Sequence, residues 1–228
     1  MSDVKGGTPS RRYESAKRSE LAHRVRETIL EATRALFLEQ GYSVTTMEQI
    51  AGRAGVSRPT VYAIGQKAQL FKLVRDLTIA GDHDPTPMSE RPDHMAFTTA
   101  ADAETSVRAY ARASAVLLRR LTPMHARLRE AAAVDDELAR LWSVAEEERL
   151  TGARIVAEVV SAKGPLRRGL DRERAAELVW TLNAPEHYER LVLVRGWTHV
   201  EFASWHAETL VHALLPLRRP SRSRQAQG

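Results

Sequence analysis

The sequence predicts an all-α fold, and three observations predict it. Apolar residues recur every three to four positions along most of the 228-residue chain. Alternating, β-branched stretches that would read as strands are nearly absent. Helix start and stop residues punctuate the periodic segments at helix-length intervals. With 43% apolar and 28% charged residues, the composition is that of a globular protein with a real core.

The elements follow in order. Residues 1–18, polar and holding Gly6, Gly7 and Pro9, read as a disordered basic arm. From Ser19 to Gln40, the positions Leu21, Val25, Ile29, Ala32, Leu36 and Phe37 form an amphipathic stripe that Gly41 ends. The second helix starts at Thr45 or Thr46, since Thr45 with Glu48 and Thr46 with Gln49 both have capping-box spacing, and Gly55 breaks it. Ser57 caps a third segment carrying Pro59 in its first turn, where a missing N–H costs little. A fourth helix spans Lys67 to Ala80. Residues 81–101, rich in proline at their start, read as a linker. Beyond them the chain predicts helices over Ala101–Leu121, Met124–Val134 after Pro123, Asp135–Lys163, Asp171–Asn183 and Pro185–Arg195. A last helix starts at a Thr198–Glu201 capping box, with Trp197 and Phe202 as a hydrophobic staple, and runs to Leu215. The domains expected are thus a smaller helical unit over 19–80, a larger helical body over 102–216, and a disordered tail over 217–228.

Composition excludes several function classes. Without cysteine there are no disulfides, thiolate zinc sites or iron–sulfur clusters. No apolar run approaches membrane-spanning length and the N-terminus has no apolar leader core, so a cytoplasmic protein with no membrane partner is expected. The formal net charge is +5, and its placement says more than its size. Residues 1–80 hold 13 basic and 8 acidic side chains, residues 81–216 hold 17 and 21, and the tail adds Arg218, Arg219, Arg222 and Arg224. A basic head on a mildly acidic body fits a polyanion-binding module, although solvated basic ends would give the same count.

The segment MEQIAGRAGVSRPTVYAIGQ, residues 47–66, is the most informative. Two helices meeting at a tight turn need a small residue at their crossing, a turn residue of positive φ and an apolar lock. Ala51, Gly55 and the set Ile50, Val56, Val61 and Ile64 supply these. Ser57, Arg58, Thr60, Tyr62 and Ala63 are left facing outward, toward a major groove. Arg58 suits bidentate contact with guanine, and Thr60 and Ala63 suit bases or thymine methyls. Tyr62 and Lys67 suit phosphates, with Thr46 and Pro59 completing the expected DNA-binding set. The competing reading of Tyr62, an aromatic lid on a small core, is the weaker of the two. Arg11, Arg12, Lys17 and Arg18 either extend the basic footprint or belong to a plain arm.

These residues resemble the TetR family of bacterial transcriptional regulators. The likeness runs through ILEATRALFLEQGYSVTTMEQIAGRAGVSRPTVYAIGQKAQLF, residues 29–71, and more weakly through 171–214. The resemblance implies a homodimeric regulator, read as a repressor, that binds a palindromic double-stranded DNA operator and is released by a small-molecule effector held in the helical body. It implies no cofactor. One departure stands out: Tyr62-Ala-Ile-Gly-Gln-Lys67 is one residue shorter than the family pattern and lacks its aromatic. A less stable or differently angled recognition helix is therefore expected.

For the body, an effector pocket is expected to use Tyr110, Leu118, Met124, His125, Leu128, Trp142 and Trp180. The last helices are expected to dimerise through Leu178, Leu182, Tyr188, Leu191, Phe202, Trp205 and Leu210. Plain core packing competes with both readings. An enzyme is the rival from another class, yet no phosphate-binding loop, nucleophile elbow or paired metal-binding histidines occur. Asp82-His83-Asp84 reads as a polar turn rather than a metal site, and Glu146-Glu147-Glu148 as a solvated face. A further alternative is a helical ligand-binding protein whose DNA-binding head is impaired by the missing residue.

Overall fold

A computed structural model describes residues 11–81 and 90–216, the side chains of residues 11–16 and Asp93 excepted. All regular structure among the described residues is helical. The chain divides into two compact units, Met1–Asp76 and Leu77–Gly228.

In the first unit, α1 (Arg11–Gln40) packs on α2 (Met47–Ala54), and α2 on α3 (Arg58–Ile64). Residues 11–18 thus belong to a helix and not to the expected arm. Their Arg, Glu, Ala and Lys residues are good helix formers, and no glycine or proline interrupts them. The apolar stripe begins only at Leu21, so periodicity gave no sign of this extra length. Residues 1–10 lie outside the described residues. The core is aromatic at its centre: Phe37 stacks on Phe71 at 5.1 Å and meets Tyr42 at 5.6 Å between ring centroids. Ile29, Ile50, Val61 and Leu70 close it, each wholly buried. The start of α4 (Lys67–Ala80) contributes Leu70, Phe71 and Val74.

In the second unit, α6 (Ala103–Ala132) is flanked by α5 (Pro92–Thr98), α7 (Asp136–Lys163) and α10 (His199–Leu214). A shorter α8 (Arg172–Leu182) packs on α7 and α10. Aspartates cap three of these helices: Asp102 accepts from the Thr105 N–H, Asp135 from Glu137 and Leu138, and Asp171 from Arg174. The small side chains of Ala111, Ala153, Ala157, Ala175 and Ala176 allow close helix approach, with Val156, Val160, Val179 and Leu210 filling the core between them.

Three expectations about the body need correcting. The linker 81–101 contains α5, whose Phe97 is buried and whose carbonyl accepts from the Ser106 hydroxyl at 2.8 Å. Proline at the first turn started this helix rather than preventing it. Secondly, Pro123 does not divide α6. An interior proline typically costs about 3 kcal/mol, but Leu118, Leu121, Met124 and Leu128 are buried on both sides of it, so one packed face spans the defect. Thirdly, Pro185–Arg195 is not uniform: α9 (Pro185–Tyr188) passes into a π-helical segment, Glu189–Val194, before Gly196 turns the chain at φ 77°. The capping box of α10 is present, and the ring contact of Trp197 is with Trp205, at 6.3 Å. Residues 82–89 and 217–228, including Asp82-His83-Asp84 and the tail arginines, lie outside the described residues.

Candidate functional site

The helix-turn-helix is fixed at each joint. Thr46 is the N-cap of α2: its hydroxyl accepts from the Gln49 N–H at 3.2 Å, and its own N–H donates to Gln49 Oε1 at 2.9 Å. Thr45, the other possible cap, is buried and donates to the Gly41 carbonyl at 2.7 Å. Gly55 ends α2 at φ 67°, a left-handed conformation that a side chain would strain. Arg53 donates to Glu39 through both guanidinium nitrogens, holding α2 against α1. That pair lowers the Glu39 pKa and raises that of Arg53.

Ser57 caps α3 and accepts from the Thr60 N–H, while the two hydroxyls lie 2.8 Å apart. Val61 is wholly buried and anchors the helix, whereas Ser57, Arg58, Pro59, Tyr62 and Ala63 are exposed and Thr60 half-buried. The Arg58 guanidinium lies 5.9 Å from the Tyr62 ring centre and 2.6 Å from Glu48 Oε1. The Tyr62 hydroxyl and the Glu48 carboxylate both stabilise its charged form. Glu48 was not foreseen in this role, although it sits about two turns before the helix-turn-helix glycine.

Lys67 is placed differently from a phosphate-binding lysine. Its ammonium donates to the carbonyls of Tyr42 and Thr45 at 3.0 and 3.1 Å and lies 4.1 Å from the Tyr42 ring centre. These contacts tie the start of α4 to the α1–α2 turn. Lys17 and Arg18 are exposed on α1.

The short connection after α3 is accommodated by Gly65. It is buried, its N–H donates to Val61 O at 3.3 Å, and a Cβ there would stand 3.0 Å from Gln69 Cβ. Gln69 then caps the Gln66 N–H at 2.9 Å. Ile64 is only half-buried.

The predicted effector residues do not form one group. Leu118 packs with Ala115, Tyr188 and Phe202. Met124 and Leu128 are also buried core. His125 is buried against Trp142, 4.7 Å between rings, with its Nε2 3.4 Å from Glu186 Oε1. That imidazole holds the Glu186 carboxyl down to about 2, with Arg129 adding to the effect.

Tyr110 and Trp180 belong to a different cluster, between α6, α7 and α8. Arg149 donates to Glu146 Oε2 at 2.7 Å and to the Trp180 carbonyl at 2.8 Å, and its guanidinium lies 5.5 Å from the Trp180 ring centre. Burial pushes the Tyr110 phenol well above its ordinary pKa, and its neighbours are Arg149 and Asn183. Trp180 Nε1, Glu146 Oε1 and Asn183 Oδ1 are shielded from solvent without a hydrogen-bond partner. Glu146 is therefore turned inward, contrary to the solvated-face reading, while Glu147 and Glu148 are exposed. A signal existed: Arg149 falls on the stripe Leu138, Trp142, Ala145, Ala153 and Val156, where a solvated arginine does not belong.

The dimer expectation needs correction at three positions. Tyr188, Phe202 and Leu210 are 2, 0 and 0% exposed within one chain, so they are core and present nothing to a partner. Leu178, Leu182, Leu191 and Trp205 are half-buried, and Leu193, Val194, Trp197 and Val200 are exposed. Among the described residues no group of three metal-ligating side chains occurs, and no helix is long and apolar enough to cross a membrane.

Comparison with known proteins sets these features in context. No curated protein matches the chain. Among solved structures, NalD, the secondary repressor of the MexAB-OprM multidrug efflux pump in Pseudomonas aeruginosa, aligns with a TM-score of 0.64 and 22% identity, covering 85% of this chain and 98% of its own. A SmeT–triclosan complex aligns with a TM-score of 0.64 and 19% identity, over 90% and 99% of the two chains. A transcriptional regulator from Saccharomonospora viridis in complex with choline aligns at 0.62 and 15%, over 84% and 98%. These likenesses show the fold. The family model of bacterial regulatory proteins, tetR family, matches residues 29–72, the segment that builds the helix-turn-helix, so it is this segment that is similar to the family.

Proposed function

We propose that the protein is a repressor that binds a palindromic DNA operator as a homodimer and is released by a small-molecule effector bound in the helical body. One observation carries the DNA-reading part: α3 is anchored by Val61 and exposes Arg58, Pro59, Tyr62 and Ala63 along one edge. Arg58 is the base reader, Thr60 and Ala63 are neighbours in the groove, and Ser57, Thr46 and Tyr62 serve the backbone. A seven-residue recognition helix reads too few base pairs alone. Two heads spaced one DNA turn apart, about 34–36 Å, require a two-fold assembly. Leu178, Leu182, Leu191 and Trp205, with exposed Leu193, Val194 and Val200, are the apolar surface assigned to it. The naming of NalD as a repressor, and of SmeT and the S. viridis protein as ligand complexes, supports the repressor and effector parts by analogy.

The test is electrophoretic binding to the DNA upstream of the gene at moderate salt. Tight, salt-sensitive, sequence-specific binding is expected. Purely non-specific binding overturns the reading and favours a ligand-binding body with an impaired head. The short Gly65–Gln66 connection favours that second reading. Inserting Phe after Ile64 separates the two: an impaired head gains operator affinity and melting temperature, whereas a competent one gains neither.

A further inference from the structure

The cluster around Arg149 is built from two helix faces turned toward each other. Glu146 and Arg149 stand three residues apart on α7, and Trp180 and Asn183 three apart at the end of α8, so each pair shares a face. Tyr110 of α6 lies beside Arg149 and Asn183. The Glu146–Arg149 ion pair is largely removed from water, with 22 and 17% of the side chains exposed. Such a pair is a poor stabiliser, because desolvating both charges offsets most of their attraction. Native interiors seldom leave one shielded polar atom unmatched, and here three stand in one neighbourhood.

What those three atoms lack defines an occupant. Trp180 Nε1 is a donor and needs an acceptor, while Glu146 Oε1 and Asn183 Oδ1 are acceptors and need donors. Charge narrows the class further. Arg149 is already balanced by Glu146, so an anion or a cation would bring an uncompensated charge into a shielded site. The Tyr110 and Trp180 rings pack against the apolar cluster of Val156, Val160, Ala175 and Val179, which suits an apolar body.

We propose that Tyr110, Glu146, Arg149, Trp180 and Asn183 form the effector site, and that it takes a neutral molecule joining an apolar ring to a group with two hydrogen-bond donors and one acceptor, as a primary carboxamide has. This rests on the effector part of the proposed function and gives that site its residues and its ligand chemistry. The ligand accepts from the Trp180 indole N–H and donates to Glu146 and Asn183, and Arg149 holds Glu146 in place rather than binding charge.

Three probes of one size test this on the full chain without DNA: benzamide, benzoate and benzylamine, followed by ligand-observed NMR titration. Benzoate offers only acceptors and a negative charge, and benzylammonium only donors and a positive one. Benzamide is expected to bind at least about tenfold more tightly than either, a difference of about 1.4 kcal/mol. Trp180→Phe, which keeps the ring and removes the N–H, is expected to weaken benzamide by about tenfold. If that variant unfolds by circular dichroism, Glu146→Gln replaces it, and the same loss is expected. Equal or tighter binding of benzoate or benzylamine, no binding of any probe, or undiminished benzamide binding by a folded variant overturns the proposal. Selective benzamide binding without sequence-specific DNA binding keeps this site and removes the regulator reading. Sequence-specific DNA binding without benzamide selectivity removes this site alone.

Discussion

The two units handle buried polarity in opposite ways. In the first, the buried hydroxyls of Thr33 and Thr45 each donate to a carbonyl one turn earlier, at 2.7 Å, and the centre is filled by Phe37, Tyr42 and Phe71. In the second, shielded atoms of His94, Glu146, Trp180, Asn183 and His206 have no hydrogen-bond partner. A head that must present Arg58 in one position gains from a closed core. A body that responds to a ligand gains from polar atoms whose pairing the ligand can complete.

The contrast can be broken by experiment, most forcefully at Phe37. Phe37→Ala removes the centre of a small aromatic core and is expected to cost about 3–5 kcal/mol. Specific DNA binding and the melting transition of the first unit should be lost together. If the head tolerates the change, its core is less closed than the contrast requires.

His206 probes the opposite property. Its Nε2 donates to Ser114 Oγ at 3.1 Å, that hydroxyl donates to the Ala111 carbonyl, and Nδ1 has no partner. Burial pushes its pKa down from 6.5 to about 4. The unfolded chain therefore takes up this proton more readily, so stability is full above pH about 6.5 and falls as pH drops toward 4. A shift of that size corresponds to a loss on the order of 3 kcal/mol. Chemical denaturation of wild type and His206→Gln at pH 7.5 and pH 4.5 measures it, and a smaller loss in the variant is the expected outcome. Equal losses would place the pH sensitivity elsewhere.

Two smaller changes sharpen the account of the head. Arg58→Ala should weaken binding to a selected operator by about 1–3 kcal/mol while leaving the melting temperature unchanged, because the side chain is exposed. Thr46→Ala removes the cap of α2 and should cost about 1 kcal/mol of stability, read by denaturant titration.

Much of this was legible in the sequence because short-range rules wrote it. The Ser57 and Thr198 caps and the Gly55 turn depend on residues three or four apart, and each is where the spacing predicts, whereas spacing alone left Thr45 and Thr46 equal as the α2 cap. Features set by distant partners were hidden. Pro123 reads as a breaker until the burial on both of its flanks is known. Lys67 reads as a phosphate ligand until the carbonyls of Tyr42 and Thr45 are brought to it. Glu146 looks solvated within an acidic triplet, and only its pairing with Arg149 beneath Trp180 shows that it faces inward. Phe202 and Leu210 have the spacing of an interface stripe, and tertiary packing alone shows that they are spent within the chain.

The π-helical segment Glu189–Val194 has a consequence for how the chain tolerates changes in length. Its wider winding, closed by the Trp197 N–H donating to the Leu191 carbonyl at 3.0 Å, holds more residues per turn than an α-helix. Loss of one residue there can be taken up by rewinding to α geometry, which keeps the hydrogen-bond ladder continuous and leaves the following side chains facing as before, where a plain α-helix would turn them by about 100°. The same loss inside α7 would drag its buried stripe off the core. The chain thus has a local reserve of slack beside the exposed Leu193, Val194 and Trp197, where one deletion can be absorbed without dismantling the body.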